Sequence, residues 1–143
     1  MSDALQKKVL FERALRDAKL SDLFEVIEVD DFYAFKTVQN IKNGRALLLV
    51  ILDDSVYTTA SITFAYLDDL GKKEKVLRLF NEMNHEYKNK KFYITEKNEL
   101  VCQMVYTALS NDFNADIFLK AFISVFQSLE EDDYPKVMRV LWS

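Results

Sequence analysis

One histidine and one cysteine are all the chain offers of the side chains most used in nucleophilic and metal chemistry: His85 in "NEMNHEY" and Cys102 in "LVCQMVY". A thiol nucleophile needs a base within hydrogen-bond reach. Val76, Phe80, Met83 and Tyr87 define the buried direction of a helix through His85. At 100° per residue His85 points nearly opposite, beside Asn81, and is expected to be a solvated surface residue. "NHEY" also lacks the second histidine four residues on that a helical zinc site requires. Cys102 alternates in phase with Leu100, Met104 and Tyr106, so it reads as a small core hydrophobe whose buried thiol is inert. A structural zinc site takes about four Cys or His ligands, and this chain has two such residues.

The acidic residues point to turns. Asp30-Asp31, Asp53-Asp54 and Asp68-Asp69 fall where aspartate is favoured for local hydrogen bonding. The run Glu130 to Asp133 lacks the alternating oxygen ligands and central glycine of a calcium loop and reads as a solvated break before Pro135. Gly44 and Gly71 are the only glycines, too few for a phosphate-cradling loop or a dinucleotide fingerprint. No catalytic residue, metal site or cofactor is expected.

The elements that would position these residues follow from composition and period. At 143 residues, half of them apolar and 13% aromatic, with two glycines and one proline, the chain is expected to form a single ordered domain over 1–143. A net charge of −4 argues against nucleic acid and anionic lipid as partners. The N-terminal stretch mixes charges throughout, and the longest strictly apolar run is Ala46 to Leu52. Neither a secretory signal nor a membrane span is expected. Together with the unpaired cysteine this fits a reducing, cytoplasmic setting.

Ala4, Phe11, Ala14, Leu15 and Ala18 share a face, predicting a first helix capped by Ser2 or Asp3. From Phe24 to Tyr66 β-branched and aromatic residues punctuated at Asp30, Lys42 to Gly44 and Asp53 predict a four-stranded meander. "RALLLVIL" is apolar on both faces, whereas "VYTTASITFAY" alternates, so one side of the sheet meets water. A second helix is expected over about Lys72 to Tyr87, a hairpin turning near Lys97 and Asn98, and a third helix over Asn114 to Leu129 with Lys120, Ser124 and Gln127 on its wet side. A last short helix runs from Pro135 through Trp142. The order α-β-β-β-β-α-β-β-α implies an α+β fold with an antiparallel sheet of about five to six strands and helices packed against it.

The segment "LFNEMNHEYKNKKFYIT", extended through "KNELVCQMVY", carries a "FNEMN" helix end with Asn81 and Asn84. A strand, an acidic or amide turn, a second apolar strand and a long apolar helix follow. With the preceding meander, this arrangement resembles the YbjN-like family, described as putative bacterial sensory-transduction regulators, from about Phe24 to Leu129. The resemblance implies a type III secretion chaperone-like fold, a role in binding or regulation, and no established catalytic residues. Asn81 and Asn84 are then structural, ending the helix and bonding the chain into the next strand.

Two functions remain. The first is a non-catalytic protein-binding module, a chaperone-like or regulatory adaptor with a protein or peptide partner. It would work as a homodimer through its sheet or third helix, with Phe118, Phe122, Phe126 and Trp142 as interaction residues. The alternative is a small-ligand sensor or small enzyme with a pocket lined by Tyr33, Tyr57, Tyr66 or Tyr106.

Overall fold

The computed structural model describes residues 2–143. Helix α1 (Asp3–Asp17) starts at Ser2, whose hydroxyl accepts the Leu5 N–H at 3.2 Å. Such a cap satisfies one of the orphan amides of a first turn. A four-strand meander follows: β1 (Glu25–Val29), β2 (Phe32–Ile41), β3 (Gly44–Asp53) and β4 (Tyr57–Tyr66). The connections fall at the acidic and amide clusters, with Asn43 at φ 67° in the β2–β3 turn, a conformation asparagine tolerates better than most residues.

Helix α2 (Lys73–Glu86) leads to the hairpin of β5 (Lys91–Ile94) and β6 (Glu99–Thr107), and Asn98 takes φ 64° in its turn. The six strands lie in the order β1-β2-β3-β4-β6-β5, every neighbouring pair antiparallel. A bulge between Thr63 and Ala65 interrupts the β4–β6 register, and Tyr66, beyond it, is exposed.

Helix α3 (Ala115–Ser128) is capped by Asn114, whose Oδ1 accepts the Ile117 N–H at 3.0 Å. Its wet side is Lys120, Ser124 and Gln127, as the sequence predicts. The acidic run departs from expectation. Leu129–Asp133 forms a π-helical turn that carries α3 directly into α4 (Tyr134–Leu141), and Asp133 is fully buried rather than solvated. Such turns insert one extra residue into a helix and re-aim the side chains that follow.

All four helices lie on one face of the sheet. Ring contacts join Phe11 of α1 to Phe35, Phe80 of α2 to Phe92, Phe118 of α3 to Tyr106, and Tyr134 of α4 to Phe64. The strand residues of these pairs share the inner face by register. β3 is apolar on both sides, yet helices cover only one side. Ala46, Leu48, Val50 and Leu52 are buried, while Leu47, Leu49 and Ile51 are half-buried on the bare face.

Candidate functional site

Of the four aromatic residues expected to meet a partner, Phe118 and Phe122 are 0% and 2% exposed. Phe118 packs against Phe11, Tyr106 and Phe113, with ring centroids 5.7 to 5.9 Å apart. Both belong to the core, and neither offers surface to a second molecule in this fold. Phe126 is half-buried, and Trp142 is 68% exposed just past α4. The third helix thus spends most of its apolar circumference on its own sheet and on α1, leaving Ile117 as its exposed large aliphatic residue.

His85 lies exposed in the last turn of α2, and Cys102 is buried in β6. Burial pushes the Cys102 thiol up to about 12, with the Lys90 ammonium acting in the opposite direction and Asp133 adding to the rise. A thiol so held is protonated and unreactive at neutral pH.

Asn84 behaves as a strand in miniature. Its Oδ1 accepts the Phe92 N–H at 2.7 Å, and its Nδ2 donates to the Phe92 carbonyl at 3.0 Å. One carboxamide thereby satisfies both backbone groups at the start of β5. Asn81 is exposed on α2. Beside this junction sits a buried polar cluster. Lys90 Nζ pairs with Asp133 at 2.5 Å and donates to Ser128 Oγ at 3.0 Å, and Tyr87 donates its hydroxyl proton to Asp133 at 2.6 Å. The ammonium also lies 4.3 Å from the Tyr87 ring centroid. Burial, then the bond to Asp133, raises the Tyr87 phenol above its ordinary value. The cluster ties the entry to β5 to the π-helical turn.

Lys7 is the other buried ammonium. It donates to the carbonyls of Ser55 at 2.7 Å and Tyr57 at 3.3 Å, and its pKa is lowered by desolvation against the pull of Asp53, Asp3 and Asp54. Sequence reasoning passed over it because lysine is rarely buried. Its signal was periodic: it stands three residues after Ala4 and four before Phe11 on the inward stripe.

Tyr33, Tyr57, Tyr66 and Tyr106 do not converge. Tyr57 and Tyr66 are exposed, Tyr106 packs on Phe113 and Phe118, and Tyr33 lines a separate small cleft near Asp30. An apolar cavity lies elsewhere, about 170 Å³ between the 3-10 turn that precedes β1, helix α3 and the inner face of β2 and β3. Leu23, Phe24, Leu48, Phe122, Ile123 and Phe126 form its walls, and its polar groups are Thr37 and Gln39, joined by a 2.8 Å bond from Gln39 Nε2 to Thr37 Oγ1.

The face of the sheet opposite the helices is uncovered. Register lines up Ile27, Ala34, Ile51, Thr59 and Val105 in one row. Val38, Leu47, Thr63, Val101 and Tyr93 form another, parallel to it, and between the two lies a row of Glu25, Lys36, Leu49, Ser61, Gln103 and Lys91. Val38 and Val105 are 54% and 49% exposed, and no helix packs over them.

A family model described as "YbjN: Putative bacterial sensory transduction regulator" matches residues 8–137. The chain belongs to the YbjN family. The description is of a regulator and not of a catalyst. No curated protein matches the sequence. Among the described residues no helix is long and apolar enough to cross a membrane.

Proposed function

We propose that this YbjN-family chain is a non-catalytic protein-binding module, a chaperone-like or regulatory adaptor in bacterial signalling. Its whole length of 1–143 works as one unit in the cytoplasm, and it pairs with a second copy of itself or with a polypeptide partner. The observation that carries this reading is the uncovered face of a six-stranded sheet whose four helices all lie on the other side, where exposed Ile27, Val38 and Val105 flank a row of mostly polar residues from Glu25 to Lys91. Exposed aliphatic side chains gathered on one uncovered face favour a contact site. One hydrophobic cluster, running from Phe11 to Met138, supports treating the chain as one unit.

Native mass spectrometry of tagged protein drawn gently from its host tests the reading. The expected result is a dimer, or a mass increment from a co-purifying polypeptide, that disappears in a Leu49→Lys/Val105→Lys variant with unchanged circular dichroism. A bare monomer, or one carrying only a few hundred daltons of small molecule, refutes it and turns attention to a ligand sensor. A complex indifferent to the double substitution keeps the protein-binding reading and refutes the bare face as its surface.

A further inference from the structure

The cavity at Leu23 and Phe24 adjoins a step in the edge of the sheet. β2 runs over ten residues, but β1 pairs only with residues 32–36, from Val29↔Phe32 to Glu25↔Lys36. From residue 37 to 41, among the described residues, β2 pairs on one side only, with β3. Both hairpins close over two residues, at Val29↔Phe32 and at Ile41↔Gly44. In an antiparallel ladder the residues next to such a turn exchange hydrogen bonds, and the pattern alternates along the strand. The odd-numbered residues of β2 therefore bond to β3 and the even-numbered ones face β1. Past residue 36 that leaves the N–H and C=O of Val38 and Asn40 directed at the open edge, and both residues are exposed.

We infer that this step takes a short extended segment of a partner polypeptide, added antiparallel to β2 over residues 37–41, with one large aliphatic side chain in the cavity. Strand addition of this kind draws affinity from main-chain bonds and specificity from pockets under alternate side chains. The geometry fits on each count. Five residues of strand span about 17 Å, room for one short segment. Cross-strand neighbours share a face, so the added residue opposite Gln39 points inward, where Thr37, Gln39 and Leu48 form the cavity floor. A cavity of 170 Å³ lies below the roughly 300–1,000 Å³ of a pocket for a drug-sized molecule and suits one side chain.

Charge distinguishes the two ends. Asp22 and Glu25 stand at the β1 end of the step, where Lys36 lies across from Glu25, and Lys42 and Arg45 at the hairpin end, where Glu130 lines the same cleft as Lys42. None of Asp22, Glu25, Lys42 and Arg45 belongs to an ion pair among the described residues, which leaves the β1 end the more acidic and the hairpin end the more basic. Every pairing in this sheet is antiparallel. A segment following that rule begins near Lys42 and ends near Glu25, so it is acidic at its N-terminal end and basic at its C-terminal end.

This inference rests on the protein-binding reading but uses the edge and inner side of β2, sharing only Val38 with the bare face, so substitutions at Leu49 and Val105 test the one and the central Leu of the peptide tests the other. The probe is the peptide Ac-Glu-Val-Thr-Leu-Thr-Val-Lys-NH2, titrated to millimolar concentration against the full chain while amide shifts are followed by NMR. Shifts are expected at Leu23, Phe24, Val38, Asn40 and Ile123. Exchanging the terminal Glu and Lys should weaken binding several-fold, and replacing the central Leu by Asp should weaken it at least tenfold. Val38→Pro removes one outward donor and leaves the β3 ladder intact; it should abolish the shifts, whereas Val38→Ala should keep them. No shifts, shifts confined to the bare face at Leu49 and Val105, or equal binding by Val38→Pro would overturn the assignment. The dimer or polypeptide increment sought above would then stand or fall on its own.

Discussion

The two faces of β3 carry nearly the same side chains and meet different fates. Leu48, Val50 and Leu52 point inward and are sealed by helices, while Leu47, Leu49 and Ile51, interleaved with them, stay half open to water. The inner face holds the fold together, because burial there removes apolar area from water at about 25 cal/mol per Å². The outer face contributes less to the monomer and is correspondingly free to be used by something else. Apolar character on both faces of a central strand thus does not say how many layers cover it, and β4, flanked on both edges like β3, carries Thr59, Ser61 and Thr63 on the same uncovered face.

The contrast breaks most sharply at Phe118. It is fully buried and touches three other rings, so Phe118→Ala should cost about 3–5 kcal/mol. Val105→Ala on the bare face should stay within about 0.5 kcal/mol. Urea unfolding followed by circular dichroism measures both, and comparable midpoints for the two variants would mean that the inner face is not the stabilising one.

Next in size is the polar cluster, where the inner side is held by charge. Asp133→Ala leaves the Lys90 ammonium buried without its carboxylate, and breaking a buried pair from one side costs about 3–5 kcal/mol. Replacing both partners with apolar residues of similar volume, as in Lys90→Met/Asp133→Leu, should recover most of that loss. A double variant as unstable as the single one would show that the pair adds stability of its own.

How much of this was legible in the sequence depended on how local the deciding contact is. Helix and strand order, the cap at Ser2 and the turns at Asn43 and Asn98 are set by residues a few positions apart, and periodicity with residue type finds them. The pairing of Asn84 with Phe92 spans eight residues and was within reach of the same reasoning. Asp133 was read as solvated because its partner Lys90 lies 43 residues earlier, in a loop with no pattern of its own. Phe118 and Phe122 were misplaced for a different reason. α3 is apolar around most of its circumference, so period alone cannot say which part meets the sheet and which part a partner. The cavity beside Phe24 and the step in β2 depend on where β1 stops, and boundaries are the least legible feature of a strand.

The smallest expected effect compares two buried titrating groups, Lys7 under α1 and Cys102 in β6, which should respond to alkali with opposite signs. Burial raises the thiol from 9.0 to about 12, so between these values the unfolded chain has lost a proton that the folded chain keeps. Stability from this group is complete below pH 9 and is lost as pH rises through that window. Burial lowers the Lys7 ammonium from 10.5. Between its folded value and 10.5 the unfolded chain holds the extra proton, so this group's penalty is full at lower pH and is relieved as pH rises. Urea midpoints measured from pH 8 upward should fall with pH for the parent chain, fall less steeply for Cys102→Ala, and fall more steeply for Lys7→Met. Parallel slopes for all three would mean that neither group is desolvated to the extent its burial implies. Two groups on the same covered side of the sheet then differ in sign for one physical reason: burial favours the neutral form, which for a thiol carries the proton and for an amine does not.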